Sequence, residues 1–258
     1  MKLNYKKVGE KGQPMVILHG FFGSLDNWAT VSKSIADAGY TVYLVDQRNH
    51  GRSPHADEFT YEAMAADLAE FIQDHALDNP ILIGHSMGGK TVMQYAEQYP
   101  GTFDKLVIID IGPKAYPPHH QELIEGLNAL SLDEIEDRQQ ADKLFSAFEP
   151  NLGVRQFLLK NLYRTDAGAF DWRFNLPVLT ELQANVGAET PKLRTVTEPT
   201  LFMRGALSGY LKDEDWPAVE DMFSQAQLVT IPKSGHWVHA EQPKLFVEEL
   251  IKFLTLQR

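Results

Sequence analysis

The sequence predicts an α/β protein: a mostly parallel, doubly wound sheet with an inserted helical cap. Three observations carry this. Short apolar runs alternate with longer amphipathic stretches, the order that builds a parallel sheet with helices on both faces. The runs are continuously apolar rather than alternating, as strands covered on both faces are. From about 112 to 198 the rhythm breaks. Helix-like patterns continue there without a strand signal, between Pro113, Pro117 and Pro118 at one end and Pro191 and Pro199 at the other. The expected organisation is a core over 1–111 and 199–258 and a cap over 112–198. The cap is expected to cover the sheet edge where open α/β sheets bind ligands.

Taken in order, the strands are expected at 16–20 (VILHG), 40–46 (YTVYLVD), 81–84 (ILIG), 106–110 (LVIID), 200–203 (TLFM) and 228–231 (LVTI). The second is rich in β-branched and aromatic residues, which suit a pleated surface. Helices are expected at 25–38, 61–75, 87–99, 213–223 and 244–256. Asp57, Thr60 and Asp213 are helix-start residues by type, and Pro100 stands where the third helix must have ended.

Composition narrows the chemistry. The 258 residues include no cysteine, which excludes a disulfide framework, a cysteine-ligated metal site and a thiol nucleophile. Lys and Arg number 24 against 35 Asp and Glu, a formal net charge of −11. That balance argues against a nucleic-acid or anionic-membrane surface. No apolar run approaches the roughly 18 residues of a membrane span, and no apolar segment follows Lys6 and Lys7 as in a signal peptide. A cytoplasmic protein, monomer or homodimer, with no membrane or nucleic-acid partner and no cofactor is the expectation.

One octapeptide satisfies two motifs. GHSMGGKT at 84–91 follows a strand and opens a helix. Gly84 to Gly88 reads G-x-S-x-G, a nucleophile elbow. Gly84 to Thr91 reads G-x-x-x-x-G-K-[ST], a phosphate loop. The elbow needs small residues two before and two after Ser86, and Gly84 and Gly88 meet that need. A phosphate loop needs Lys90 and Thr91 to face phosphate and Mg²⁺, and it leaves Gly88 unexplained. The elbow also demands a carboxylate and then a histidine downstream, with the histidine after the last strand. Asp110 ends the strand after the elbow helix, and His236 follows the last strand. An oxyanion hole needs two backbone N–H donors. Met87, at the helix N-terminus, supplies one, and the turn at 19–23 (HGFFG) supplies the other, assigned to Phe21.

With these pieces in place the sequence resembles the α/β-hydrolases over essentially its whole length. The resemblance rests on HG at 19–20, DQRNHGRS at 46–53, GHSMGG at 84–89 and GHWVHAE at 235–241. HGFFGSLDNW, DIGP and WRFNLPVL are also similar to small bacterial esterases and thioesterases related to eukaryotic abhydrolase-domain proteins. The resemblance implies an α/β-hydrolase fold, Ser86 as nucleophile, His236 as base, and Phe21 and Met87 as oxyanion donors. It implies short- to medium-chain acyl esters as substrates, with acyl-CoA thioesters or a carbon–carbon bond as alternatives. One departure concerns the acid. The usual position, after the next-to-last strand, reads MRGALSGY at 203–210. Ser208 stands there and cannot hold an imidazolium by charge. The acid is therefore expected one strand earlier, at Asp110, with Asp213 or a cap carboxylate as alternatives.

Other residues have plainer readings. His85 is expected to line the pocket or pack beneath it, and Trp237 and the cap residue Phe145 to touch substrate. Phe148, Trp172 and Phe174 read as cap core. Asp46, Arg48 and Asn49 read as a buried polar turn, because a buried charge needs a partner. His19 and His239 read as structural, and His119–His120 as an exposed loop. A binding protein without turnover and a nucleotide hydrolase remain the competing classes.

Overall fold

The computed structural model describes residues 1–118, 120–192 and 194–256; the expectation for His119 lies outside them. Five strands precede the inserted segment: β1 Tyr5–Val8, β2 Pro14–Leu18, β3 Thr41–Val45, β4 Ile81–His85 and β5 Lys105–Ile109. The insertion holds a short hairpin, β6 Leu162–Arg164 and β7 Phe170–Trp172. Two strands follow it, β8 Thr200–Gly205 and β9 Ala226–Ile231. The main sheet runs β1-β3-β2-β4-β5-β8-β9. Every pair is parallel except β1 with β3. Strand order reverses at β2, with β3 on one side and β4 on the other. This is the switch point where loops part to leave a crevice.

The continuous apolar runs have a direct cause. Val16, Leu18, Leu82, Leu106 and Ile108 point into one core layer. Met15, Ile17, Ile81, Ile83, Val107 and Ile109 point into the other. Both layers are closed to water, so successive residues are apolar, and each such side chain contributes about 1.5–3 kcal/mol by burial. Helices α1 Ala29–Asp37 and α11 Pro243–Leu256 bring Val31, Ile35, Phe246 and Leu250 to the second layer. Helices α2 Tyr61–Asp74 and α3 Met87–Gln98 bring Leu68, Phe71, Val92 and Met93 to the first.

The expected strands all form. Three more were not anticipated: β1, β6 and β7. The helix expected over 25–38 opens as a 3₁₀ turn, Leu25–Trp28, before α1. Thr60 caps α2 by accepting the Ala63 N–H at 3.2 Å, and Asp57 takes no part in that cap. Asp213 opens a 3₁₀ turn, Asp213–Asp215.

Between β5 and β8 the chain forms α4 Gln121–Ala129, α5 Arg138–Phe145, α6 Leu152–Leu159, α7 Leu176–Glu181 and α8 Gln183–Val186. Their apolar faces, with Ile124, Leu127, Phe145, Leu158 and Leu179, share one cluster with Phe21, Phe22, Phe59 and Met87. The latter group lies at the switch point of the sheet. Asn161 Nδ2 donates to the Phe22 carbonyl at 2.9 Å, and the Asn175 N–H to the Asn49 carbonyl at 2.9 Å. The segment after α8 returns to β8, and α9 Trp216–Met222 and α10 Val238–Glu241 complete the chain order. Among the described residues no helix is long and apolar enough to cross a membrane.

Candidate active site

Ser86 sits between the end of β4 and the start of α3 with φ 53° and ψ −117°, a left-handed conformation that costs a non-glycine residue about 1–3 kcal/mol. Its neighbours hold it there. The Ser86 N–H donates to the Ile109 carbonyl at 3.0 Å, and its own carbonyl accepts the Lys90 N–H at 3.1 Å. The flanking glycines have no alternative. A Cβ on Gly84 would lie 2.1 Å from the Gly88 carbonyl oxygen, and one on Gly88 would lie 2.6 Å from that of Leu18.

The structure brings Asp110 and His236 together. His236 Nδ1 lies 2.7 Å from Asp110 Oδ2. A carboxylate only accepts, so Nδ1 carries the hydrogen and Nε2 of the neutral ring is left to accept a proton. Asp110 is fully buried and is satisfied by two further donors: the Gly205 N–H to Oδ1 at 3.1 Å, and the Ser208 hydroxyl to Oδ2. Three donors offset the cost of burying its charge. The alternative acid, Asp213, has a side chain 89% exposed and pairs with Arg204 at the surface. His236 meets Asp110 and not Asp213.

His236 is held from two sides. The Tyr210 ring stacks on it, with centroids 4.0 Å apart and planes 21° apart. His85 lies on another side at 4.6 Å, and its Nε2 donates to the His236 carbonyl at 2.8 Å. Burial, reinforced by the nearby His236, holds the His85 pKa well below the usual histidine value. A neutral His85 therefore ties the elbow to the histidine loop, and it also lines the cavity.

The turn after β2 is shaped by two more neutral imidazoles. His50 Nε2 accepts the Phe22 N–H at 3.2 Å, while its Nδ1 donates to the Arg48 carbonyl at 2.9 Å. His19 repeats the pattern, with Nε2 accepting the Gln47 N–H at 3.0 Å and Nδ1 donating to the Gly20 carbonyl at 2.8 Å. Burial lowers the pKa to about 3 for His50 and about 4 for His19. The polar turn behind them is buried as expected. Arg48 pairs with Asp67 at 2.6 Å, and Asp46 accepts the Leu25 and Arg52 N–H groups at 2.7 and 2.9 Å. Phe21 lies on this shaped turn. Met87 is the first residue of α3, where N–H groups have no intrahelical partner.

Ser86, His236, Phe21, His85 and Trp237 line one cavity of about 610 Å³, with Leu123, Val154 and Phe157 closing it from the inserted segment. That size suits a small molecule, for which pockets span roughly 300–1,000 Å³. Phe145 must be corrected. It is fully buried in the apolar cluster it shares with Leu127, Leu158 and Leu179, packed against Gly126, and is not part of the cavity wall. The phosphate-loop alternative is corrected too. Lys90 is fully buried and donates to the carbonyls of Pro113, Lys114 and Ala188 at 2.9, 2.6 and 2.8 Å. Thr91 Oγ1 donates to Gln47 Oε1 at 2.7 Å. Neither faces a space for phosphate.

Sheet, elbow and acid–base pair together define an α/β-hydrolase, and the chain belongs to that family: residues 13–243 match the family described as alpha/beta hydrolase fold. It is a hydrolase whose relatives include esterases and lipases. It is 37% identical to the sn-1-specific diacylglycerol lipase ABHD11 of Mus musculus, over 93% of this chain and 80% of the mouse protein. It is 36% identical to esterase YbfF of Escherichia coli K12, over 99% of this chain and 100% of that one. A solved structure described as a marine microorganism esterase is 40% identical, with TM-score 0.95, covering 98% of this chain and 99% of its own.

Sequence reasoning missed Tyr210 and His50, and it gave Ser208 no role. His50 stands within DQRNHGRS, and Ser208 and Tyr210 within MRGALSGY, but neither stretch marks what these side chains meet. Each acts on a residue that is distant along the chain.

Proposed function

We propose that the protein is a serine carboxylesterase hydrolysing short- to medium-chain acyl esters through an acyl-enzyme on Ser86. The core spans 1–111 and 199–258, and 112–198 is the cap that shapes the acyl site. The observation that carries this reading is the 2.7 Å contact of His236 with a buried Asp110, on the wall of the cavity that Ser86 also lines. The esterase and lipase relatives support an ester as the scissile group.

Ser86 Oγ attacks the acyl carbonyl while His236 Nε2 takes its proton. Asp110 fixes the imidazole tautomer and stabilises the imidazolium. The N–H groups of Phe21 and Met87 hold the oxyanion, and one such donor is worth about 10²–10³ in kcat. The tetrahedral intermediate collapses, and His236 gives its proton to the leaving alcohol. Water, deprotonated by His236, then attacks the acyl-enzyme, and the acid leaves as His236 returns that proton to Ser86 Oγ. A thiol leaving group follows the same steps.

The test is hydrolysis of p-nitrophenyl esters of increasing chain length, beside acyl-CoA thioesters, by wild type and Ser86→Ala. Wild type is expected to prefer short to medium acyl chains and Ser86→Ala to be inactive. Equal turnover by the two would remove Ser86 from the chemistry.

A further inference from the structure

Lys90 lies one turn into the helix that presents Ser86, and its side chain is closed to solvent. The three N–H groups of its ammonium match the three carbonyls it meets. Pro113 and Lys114 belong to the chain just after Asp110, where it leaves β5. Ala188 belongs to the chain returning toward β8. These two passes are joined to each other as well: the Tyr116 N–H donates to the Gly187 carbonyl and the Thr190 N–H to the Pro113 carbonyl, both at 2.8 Å.

Burial lowers the Lys90 pKa to about 7, opposed by Glu189 and aided by the nearby Lys114. An apolar side chain would fill the same space at less desolvation cost. What the polar head adds over such a side chain is its hold on three main-chain carbonyls. From there the path to the imidazole is short. The Tyr116 ring lies 5.3 Å from the Nζ atoms of both Lys90 and Lys114. Its hydroxyl accepts the Gly112 N–H at 2.9 Å and donates to the Tyr210 carbonyl at 2.7 Å. Tyr210 in turn stacks on His236.

We propose that Lys90 is a positioning residue for the acid–base pair: by gripping both passes of the inserted segment it fixes, through Tyr116, the Tyr210 ring on His236 and the turn that carries Asp110. This rests on the roles given to Ser86, Asp110 and His236 under the proposed function. Lys90 touches neither substrate nor reacting atoms, so its effect is one of alignment.

The test compares wild type with Lys90→Met, which keeps an unbranched stem one atom shorter but removes every donor. Competent molecules are counted by fluorophosphonate titration of Ser86, so loss of folded protein drops out. The kcat per titrated site is expected to fall by about 10- to 100-fold, the scale of a small misalignment. The acid limb of the kcat/KM profile is expected to move to lower pH, because an imidazolium that loses its aromatic face and well-seated carboxylate is less stabilised. The groups facing that ring (Asp110, His85, His239 and Tyr210) keep their identity in the variant and change only in placement. Tyr116→Phe, which removes only the hydroxyl link, is expected to move the limb the same way, and it carries the test if Lys90→Met does not fold. An unmoved limb with unchanged kcat per site in a folded variant overturns the proposal. Failure of the underlying reading looks different: wild type itself would not be labelled at Ser86.

Discussion

The Ser208 hydroxyl donates to the Asp110 carboxylate from the strand end where a hydrolase of the commoner pattern keeps its acid. It shares Oδ2 with His236 Nδ1, so the hydroxyl supports the carboxylate instead of replacing it. Ser208→Ala leaves a buried carboxylate one donor short, and hydrogen bonds to charged groups are worth about 1.5–3 kcal/mol. The expected outcome is a kcat/KM for p-nitrophenyl butyrate lower by about 10- to 100-fold, with Ser86 still labelled by a fluorophosphonate. Wild-type kinetics would show that Asp110 does not need this donor.

Asp110 and Asp213 separate cleanly by position. Asp110→Asn is expected to lower kcat by about 10⁴-fold, since an amide cannot hold the imidazole in its working tautomer and charge. Asp213→Asn removes a solvent-exposed partner of Arg204, worth about 0–1 kcal/mol, and is expected to leave kcat unchanged. Steady-state kinetics of the two purified variants decide the matter, and a reversed ranking would move the acid.

Gly88→Ala places a methyl 2.6 Å from the Leu18 carbonyl and 2.7 Å from that of His19. Main chain cannot yield there without disturbing β2 and the turn bearing Phe21. A destabilisation of about 1–3 kcal/mol or more is expected, read as a lowered Tm together with slower labelling of Ser86. Gly209 faces open space, and Gly209→Ala is expected to leave Tm where it is. Equal Tm values for the two variants would count against the steric account of the elbow.

His19 and His50 predict sensitivity to acid. In the unfolded chain both titrate near 6.5, while burial takes them to about 4 and about 3 in the fold. Between these limits the unfolded chain binds more protons. Stability is therefore fully present above about pH 6.5 and declines as pH falls toward 4 and then 3. The cause is visible in the bonds: each Nε2 accepts a backbone N–H, and a proton there would face that donor. Urea midpoints measured from pH 7.5 to 4.5 should fall with pH in wild type. They should fall less steeply in His50→Gln, whose amide can donate and accept without titrating. Parallel slopes would assign the acid loss elsewhere.

Legibility in the sequence followed the range of the interaction responsible. Strands buried on both faces announced themselves through apolar runs, and the elbow through its two glycines. β1 did not, because YKKV is a partly exposed antiparallel edge. The hairpin β6–β7 did not, because three residues per strand leave no period to read. Asp110 was reachable by eliminating Ser208, but the contact between them was not. Tyr210 on His236 and His50 on Phe22 join residues about 26 and 28 apart, and no local spacing encodes them. Phe145 shows the converse failure. An aromatic in a cap has no sequence mark that distinguishes a core ring from a cavity wall.

Every residue type supplies the same main-chain oxygen, so the grip of Lys90 on Pro113, Lys114 and Ala188 does not read the side chains of the segment it holds. Leu123, Val154 and Phe157, which face the cavity from that segment and pack on its apolar cluster, are not among the groups that Lys90 grips. Substitutions at these three positions are expected to alter which substrates the cavity accepts while the anchors of the segment stay in place. A library randomised at these three positions is the natural place to look for such changes.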